Sequence, residues 1–179
     1  MDLYAENPPI GGFFVSEELS LQFKKLSTDF VSKTQGLAEV LEDKGRGYCV
    51  AEVEYKGLHF AVPLRTKLRH KDGKAIKIGG APTAFITDKV NDPVRGICYR
   101  GLDYEKALLM VDKSVDLADN YPLDDNFQKT MLNDNEYKIG KEFIRFVDSY
   151  IRANKRNLPF KGSFFRSTLQ NYHTELGIE

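Results

Sequence analysis

The chain has 179 residues and a mass of 20.4 kDa, the size of one domain that can bury a core without disulfide or metal staples. Lysine plus arginine and aspartate plus glutamate both number 26, so the formal net charge is zero, which excludes a histone-like tail and argues against a general DNA coater. Hydrophobic residues make up 41% and aromatics 12%, which excludes a disordered chain.

Met1 to Ile10 is polar and proline-bearing, with no apolar signal core, and no run reaches the roughly 18 apolar residues of a membrane span. Ser16 then precedes Glu17, Glu18 and the apolar series Leu19, Phe23, Leu26, Phe30, whose helical spacing predicts an α-helix from about Ser16 to Thr34, stopped by Gly36. Lys44 to Gly47 reads as a glycine-flanked basic loop. Tyr48 to Tyr55 alternates, with Ala51, Val53 and Tyr55 on one face. Lys56-Gly57 is a turn signal, and Leu58, Phe60, Val62 and Leu64 follow at a period of two, so the two runs predict a β-hairpin whose second strand Pro63 stops or places at an edge. Arg65-Thr66-Lys67-Leu68-Arg69-His70-Lys71 is a basic loop leaving that strand. Ala75–Ile78, Ala84–Ile86 and Ile97–Tyr99 read as short strands, and Ala107–Val111 as either a buried strand or a helical turn. Tyr121-Pro122 introduces a helical tail. Ile139, Phe143, Phe146, Val147, Tyr150 and Ile151 give one wide apolar face, broken by Pro159 and Gly162. Ser163 opens a predicted last helix along Phe165, Leu169, Tyr172 and Leu176, with Gly177 as its stop. With no repeat or long linker, residues 1–179 are expected to form a single α+β domain, soluble and cytoplasmic.

The zero net charge hides segregation. Residues 1–43 carry −5 and residues 103–136 carry −6, whereas 44–77 and 138–166 each carry +6. Either two basic surfaces face a polyanion, or the blocks meet in space and cancel.

The chemistry on offer is narrow. Cys49 and Cys98 have no redox or metal spacing, and His59, His70 and His173 are scattered, so no metal and no cofactor is expected. Asp124-Asp125 reads as helix capping, and His59, opposite Phe60 in the alternation, as a structural or surface histidine. Phosphate-loop, dinucleotide and serine-hydrolase motifs are missing. What remains is a basic loop with a hydroxyl. RNA cleavage through the ribose 2′-OH needs cations on the phosphate, a proton acceptor and a proton donor. Arg65, Thr66, His70 and Lys71 supply fork donors, a hydroxyl, a titratable ring and a point charge, and Lys44 and Arg46 enter from the same side. The same residues also suit a solvated hairpin edge protected from aggregation by its charges.

The run Gly47-Tyr48-Cys49-Val50, then Gly57-Leu58-His59-Phe60-Ala61-Val62-Pro63-Leu64-Arg65-Thr66 and His70-Lys71, resembles the toxins of type III toxin–antitoxin systems, and within them the TenpN branch, with ToxN and AbiQ more distant. Gly101-Leu102-Asp103-Tyr104-Glu105-Lys106-Ala107 and Phe165-Arg166-Ser167-Thr168-Leu169 fit the same branch, so the resemblance runs from about residue 44 to the end. It implies a single endoribonuclease domain with a compact, strongly bent antiparallel sheet like that of MazF and Kid, with helices packed around it. It implies metal-independent cleavage of cellular or phage mRNA to a 2′,3′-cyclic phosphate and a 5′-hydroxyl. The partner it implies is a small antitoxin RNA, a repeat-derived pseudoknot that the toxin cuts from its precursor and joins in a cyclic toxin–RNA assembly. Phage defence or plasmid and genome maintenance would be the role.

Thr66 matches the hydroxyl after Pro-Leu. Arg65 replaces a small polar residue, and the lysine expected two residues after the hydroxyl falls on Leu68, leaving Lys67, His70 or Lys71 to substitute. Arg46 matches a basic residue ahead of the first hairpin strand. The expected catalytic set is Thr66, Arg46, His70 and Lys71. The expected RNA contacts are Lys44, Tyr48, Arg65, Lys67, Arg69, Arg152, Lys155 and Arg156. A non-catalytic RNA-binding protein and a charge-patterned protein-interaction domain are the competing readings.

Overall fold

A seven-stranded antiparallel sheet carries the fold, and the computed structural model describes residues 21–42 and 49–178 of the chain. In chain order the elements are β1 (Phe23–Leu26), α1 (Thr28–Thr34), β2 (Cys49–Tyr55), β3 (Leu58–Arg65), β4 (His70–Lys71), β5 (Lys74–Ala75), β6 (Lys77–Ile78), β7 (Ala81–Pro82), β8 (Ala84–Asp92), β9 (Gly96–Asp103), β10 (Leu108–Met110), α2 (Lys113–Asp116), β11 (Leu117–Asn120), α3 (Asn126–Asp134) and α4 (Glu136–Lys155). Short 3-10 helices lie at Tyr104–Lys106, Pro159–Phe164 and Thr168–Asn171.

The hairpin predicted from alternation is the centre of the sheet. Val53 pairs with Phe60 and Tyr55 with Leu58 across a two-residue turn, where Lys56 and Gly57 both take positive φ, 49° and 83°. That is the turn whose twist matches paired strands. The sheet runs β11-β1-β2-β3-β9-β8. Beyond Leu64 and Arg65, which face Leu102 and Gly101, the chain from β9 through Tyr104–Lys106 to β10 continues antiparallel to β3. Continued register would set Ala61 against Glu105; instead it faces Leu108, so the turn is an insertion in the line of pairing. This resolves the ambiguous run Ala107–Val111, whose centre, Leu108–Met110, is strand.

Both faces of the central hairpin are covered. Val53, Phe60, Val62 and Leu102 join Phe143, Phe146, Val147 and Tyr150 of α4 in the larger core, with Phe60 and Phe143 edge to face at 5.3 Å. Val50, Ala61 and Leu108 turn the other way, against Leu26, Phe30 and Val31. Each large side chain withdrawn from water here contributes roughly 1.5–3 kcal/mol.

Two helix expectations are corrected. The helix expected from Ser16 to Thr34 is, in its described part, strand β1 followed by α1, capped by Ser27, whose hydroxyl accepts the Phe30 N–H at 3.2 Å; Ser16 itself lies outside the described residues. Phe23 packs into the larger core and Leu26 into the smaller, on opposite faces of the sheet, as a strand requires and a single helical stripe forbids. The expected last helix is instead a series of tight turns. Ser167 accepts the Leu169 N–H and starts a new turn there, and Phe165 is left 66% exposed. The short strands expected at 84–86 and 97–99 are parts of the longer β8 and β9.

Candidate active site

β3 ends at Arg65, and the basic loop then follows β9. Arg65 faces Gly101, the Leu68 N–H donates to the Tyr99 carbonyl at 2.8 Å, and the His70 ring packs on the Tyr99 ring with centroids 4.2 Å apart. Leu68 is buried, anchoring the loop to the body; it is not a functional stand-in for a lysine. Thr66 and Lys67, just before that anchor, are exposed, and Thr66 has no hydrogen-bond partner among the described residues.

His70 and Lys71 form β4, which pairs with β5 across Asp72-Gly73, both at positive φ, 51° and 76°. Asp-Gly is a hairpin signal, so the end of the stretch expected as loop is a small hairpin. The Gly73 N–H donates to His70 Nδ1 at 3.3 Å. Nδ1 is therefore the acceptor, and in the neutral ring the proton sits on Nε2 as a donor.

The two arginines are held from the inserted turn and from Asp103, which caps it. Arg65 Nη1 donates to Asp103 Oδ2 at 2.6 Å, and Arg69 Nη1 to Glu105 Oε1 at 2.9 Å. Burial pushes the Glu105 carboxyl above its ordinary range, against the pull of Arg69. The turn is itself fastened. Lys106 Nζ donates to the Glu39 carboxylate, the Glu39 carbonyl and the Arg166 carbonyl at 2.8–2.9 Å, and the Thr168 hydroxyl donates to the carbonyls of Glu105 and Ala107. Sequence reasoning missed the roles of Asp103 and Glu105, because their partners lie 38 and 36 residues away and only β3–β9 pairing brings them together.

Arg65, Thr66, Lys67, Arg69, His70 and Lys71 thus share one loop and its hairpin. Lys44, Arg46 and Tyr48 lie outside the described residues. Arg152, Lys155 and Arg156 belong elsewhere, in and just after the last turn of α4. Lys155 lines a cleft of about 420 Å³ with Tyr55, Lys56 and Leu58, at the turn end of the hairpin. Arg152 donates to the Gly79 carbonyl at 3.3 Å, in a neighbouring cleft with Arg145. Since β3 runs from Leu58 to Arg65, the Lys155 cleft and the Thr66 loop stand roughly 23 Å apart along the strand. His59 lies beside Glu52, with Nδ1 2.8 Å from Oε1 but not aligned as a hydrogen bond.

Burial pushes the Cys49 thiol up to about 12, which keeps it protonated and unsuited to nucleophilic work at neutral pH. Among the described residues, no three or more His, Cys, Asp or Glu side chains stand together as a metal-binding group, and no helix is long and apolar enough to cross a membrane. In comparisons with protein-family models, curated proteins and solved structures, the chain finds no match.

Proposed function

We propose that this chain is an endoribonuclease toxin of the type III toxin–antitoxin kind, with its cleavage site on the Arg65–Lys71 loop. One observation carries the reading. Three of the stretches on which the resemblance rests, the one running from Gly57 through Thr66 to His70-Lys71, 101–107 and 165–169, converge on the turn Tyr104–Lys106 and its capping residue Asp103. Arg65 and Arg69 reach it from one segment, and Thr168 and the Arg166 carbonyl from another. A single-stranded RNA laid on the loop would meet forks at Arg65 and Arg69, a hydroxyl at Thr66, point charges at Lys67 and Lys71, and the Nε2–H of His70.

In the proposed reaction the ribose 2′-oxygen loses its proton to a base and attacks the adjacent phosphorus. The bond from phosphorus to the 5′-oxygen breaks, and the departing oxygen takes a proton. The products are a 2′,3′-cyclic phosphate and a 5′-hydroxyl. Arginine forks and the Thr66 hydroxyl stabilise the charge that grows on the non-bridging oxygens. On this reading the sheet and its helices are a MazF-like scaffold, and the partner is a small pseudoknot antitoxin RNA in a cyclic assembly.

The test is incubation of the purified chain with single-stranded RNA in EDTA, with end-group analysis. Cleavage leaving cyclic phosphate and 5′-hydroxyl ends is expected. Complete inactivity in EDTA, restored by Mg²⁺ in a folded protein, overturns the metal-independent mechanism. A second reading, a non-catalytic RNA-binding protein, is favoured by one fact: Thr66 has no hydrogen-bond partner among the described residues, so the loop is marked by its cations and not by an activated hydroxyl. That reading expects binding without cleavage.

A further inference from the structure

Arg65 and Arg69 are held by negative charges in a loop whose proposed ligand is itself negative. Asp103 is 5% exposed and Glu105 3% exposed, so both carboxylates are withdrawn from water, which is costly unless each is paired. A lock that served only to fasten the loop needs no such charges. Leu68 already anchors it in the core, and buried ion pairs are commonly replaceable by apolar packing without loss of stability. What a carboxylate does that a methyl group cannot is fix the orientation of a guanidinium.

The geometry fits that task. Each arginine meets its carboxylate through Nη1, and among the described residues neither has a second partner for Nε or Nη2. Both side chains remain open to solvent, 26% for Arg65 and 33% for Arg69. One edge of each fork is therefore spoken for and the rest is available. Asp103 has a further part, because its Oδ1 accepts the Glu105 N–H at 3.1 Å and so shapes the turn that presents the second carboxylate. The exposed Thr66 stands between the two forks in the chain.

We propose that Asp103 and Glu105 are positioning residues, which hold Arg65 and Arg69 as a paired clamp for neighbouring phosphodiesters of single-stranded RNA. This rests on the RNA-directed reading of the loop. It deepens that reading by assigning the phosphate contacts to two preset forks. A preset fork loses less freedom on binding than a free one, and it accepts phosphate in a defined plane.

Removing a carboxylate beside a polyanion site makes two opposite predictions. By charge alone, Asp103→Asn and Glu105→Gln tighten RNA binding, because a repulsion is gone. By positioning, they weaken it. The experiment measures binding of a 2′-O-methyl RNA oligonucleotide, which lacks the attacking hydroxyl and stays intact, by fluorescence anisotropy across a salt series. Thermal melting serves as the check on folding. The expected result is a loss of about tenfold in affinity for each variant, with a salt slope shallower by about 0.7 for each phosphate that is no longer neutralised. Arg69→Lys, which keeps the charge and one bond to Glu105 but loses the fork, is expected to lose about as much, and it carries the test if Asp103→Asn does not fold. Unchanged or tighter binding in folded Glu105→Gln overturns the inference. Wild-type protein that binds the 2′-O-methyl RNA but leaves ordinary RNA uncut overturns the nuclease reading alone, and wild-type protein that binds neither overturns both.

Discussion

Thr66 is the residue on which the proposed chemistry turns. Its hydroxyl is exposed, the buried Leu68 fixes the loop two residues on, and Arg65 and Arg69 are tied to carboxylates on either side. Thr66→Ala removes one donor and disturbs none of these anchors. The expected outcome is a loss of roughly a hundredfold or more in single-turnover cleavage, the scale of one transition-state donor. Affinity for the antitoxin RNA should stay within a few-fold and the melting temperature should not move. Near-wild-type cleavage would remove Thr66 from the site. At this scale much of the candidate site was legible, in that the sequence placed its side chains on one loop, because residue types and a turn motif are local information. The hydroxyl, the cations and the ring were all named from one run of seven residues. The holders of the two arginines were not, since Asp103 and Glu105 gain their meaning only from pairing across the sheet.

At the scale of elements, Asp125 ties the start of α3 to the sheet, beside a second bond from Gln128 Nε2 to the Thr87 hydroxyl at 3.2 Å. Asp125 accepts the Gln128 N–H at 2.9 Å as the helix N-cap, and it accepts Arg100 Nη2 at 2.6 Å, while the same guanidinium grips Asp88 by two bonds at 2.7 Å. The Gln128 N–H first, and then Arg100, hold the Asp125 carboxyl below its ordinary range. A carboxyl whose native value is lowered favours the folded state above the unfolded carboxylate range, and that benefit is lost as pH falls through the native value. Asp125→Asn keeps an acceptor for both donors but does not titrate. Its melting temperature should start lower at about pH 6 and converge on that of the wild type only as the pH falls below the native value of the Asp125 carboxyl. Parallel melting curves across that range would show that the pair contributes nothing pH-dependent. Among the elements, the hairpin and α4 were readable because a period of two and a wide helical stripe were both strong. The region around Phe23 misled because apolar spacing alone does not say that two covered faces await it. The last turns misled because Ser167 spends its hydroxyl on its own backbone.

For the molecule as a whole, the alternation of charged blocks has a mixed outcome in space. Part of it cancels, as Arg65 with Asp103 and Arg69 with Glu105 join the first basic block to the second acidic one. Part does not. Lys71 and Lys74 at the β4–β5 hairpin and Arg156 after α4 have no ion-pair partner among the described residues, and the two basic ends lie far apart along β3. On the proposed reading, a toxin that closes a ring with RNA needs two RNA-binding surfaces, and these two ends are the candidates. Charge reversal at Arg152, Lys155 and Arg156 tests the remote one. The changes touch no part of the Thr66 loop. Their structural cost consists of the Arg152 bond to the Gly79 carbonyl, the favourable placement of cations at a helix C-terminus and the repulsion of the anions put in their place, all at exposed positions where solvent and salt screen the charges. The triple variant should therefore fold and cut short RNA at close to the wild-type rate. Its affinity for the antitoxin RNA should fall, the salt dependence should flatten because fewer counterions are released, and the mass of the assembly should drop to that of partial complexes. Native mass measurement alongside a salt titration reads both effects. Normal assembly with an unchanged salt slope would show that these three side chains take no part in the RNA grip. On the proposed reading the ring would then have to close through the other basic surface alone, with the Arg65–Lys71 loop serving both as the proposed cleavage site and as the whole of the RNA grip.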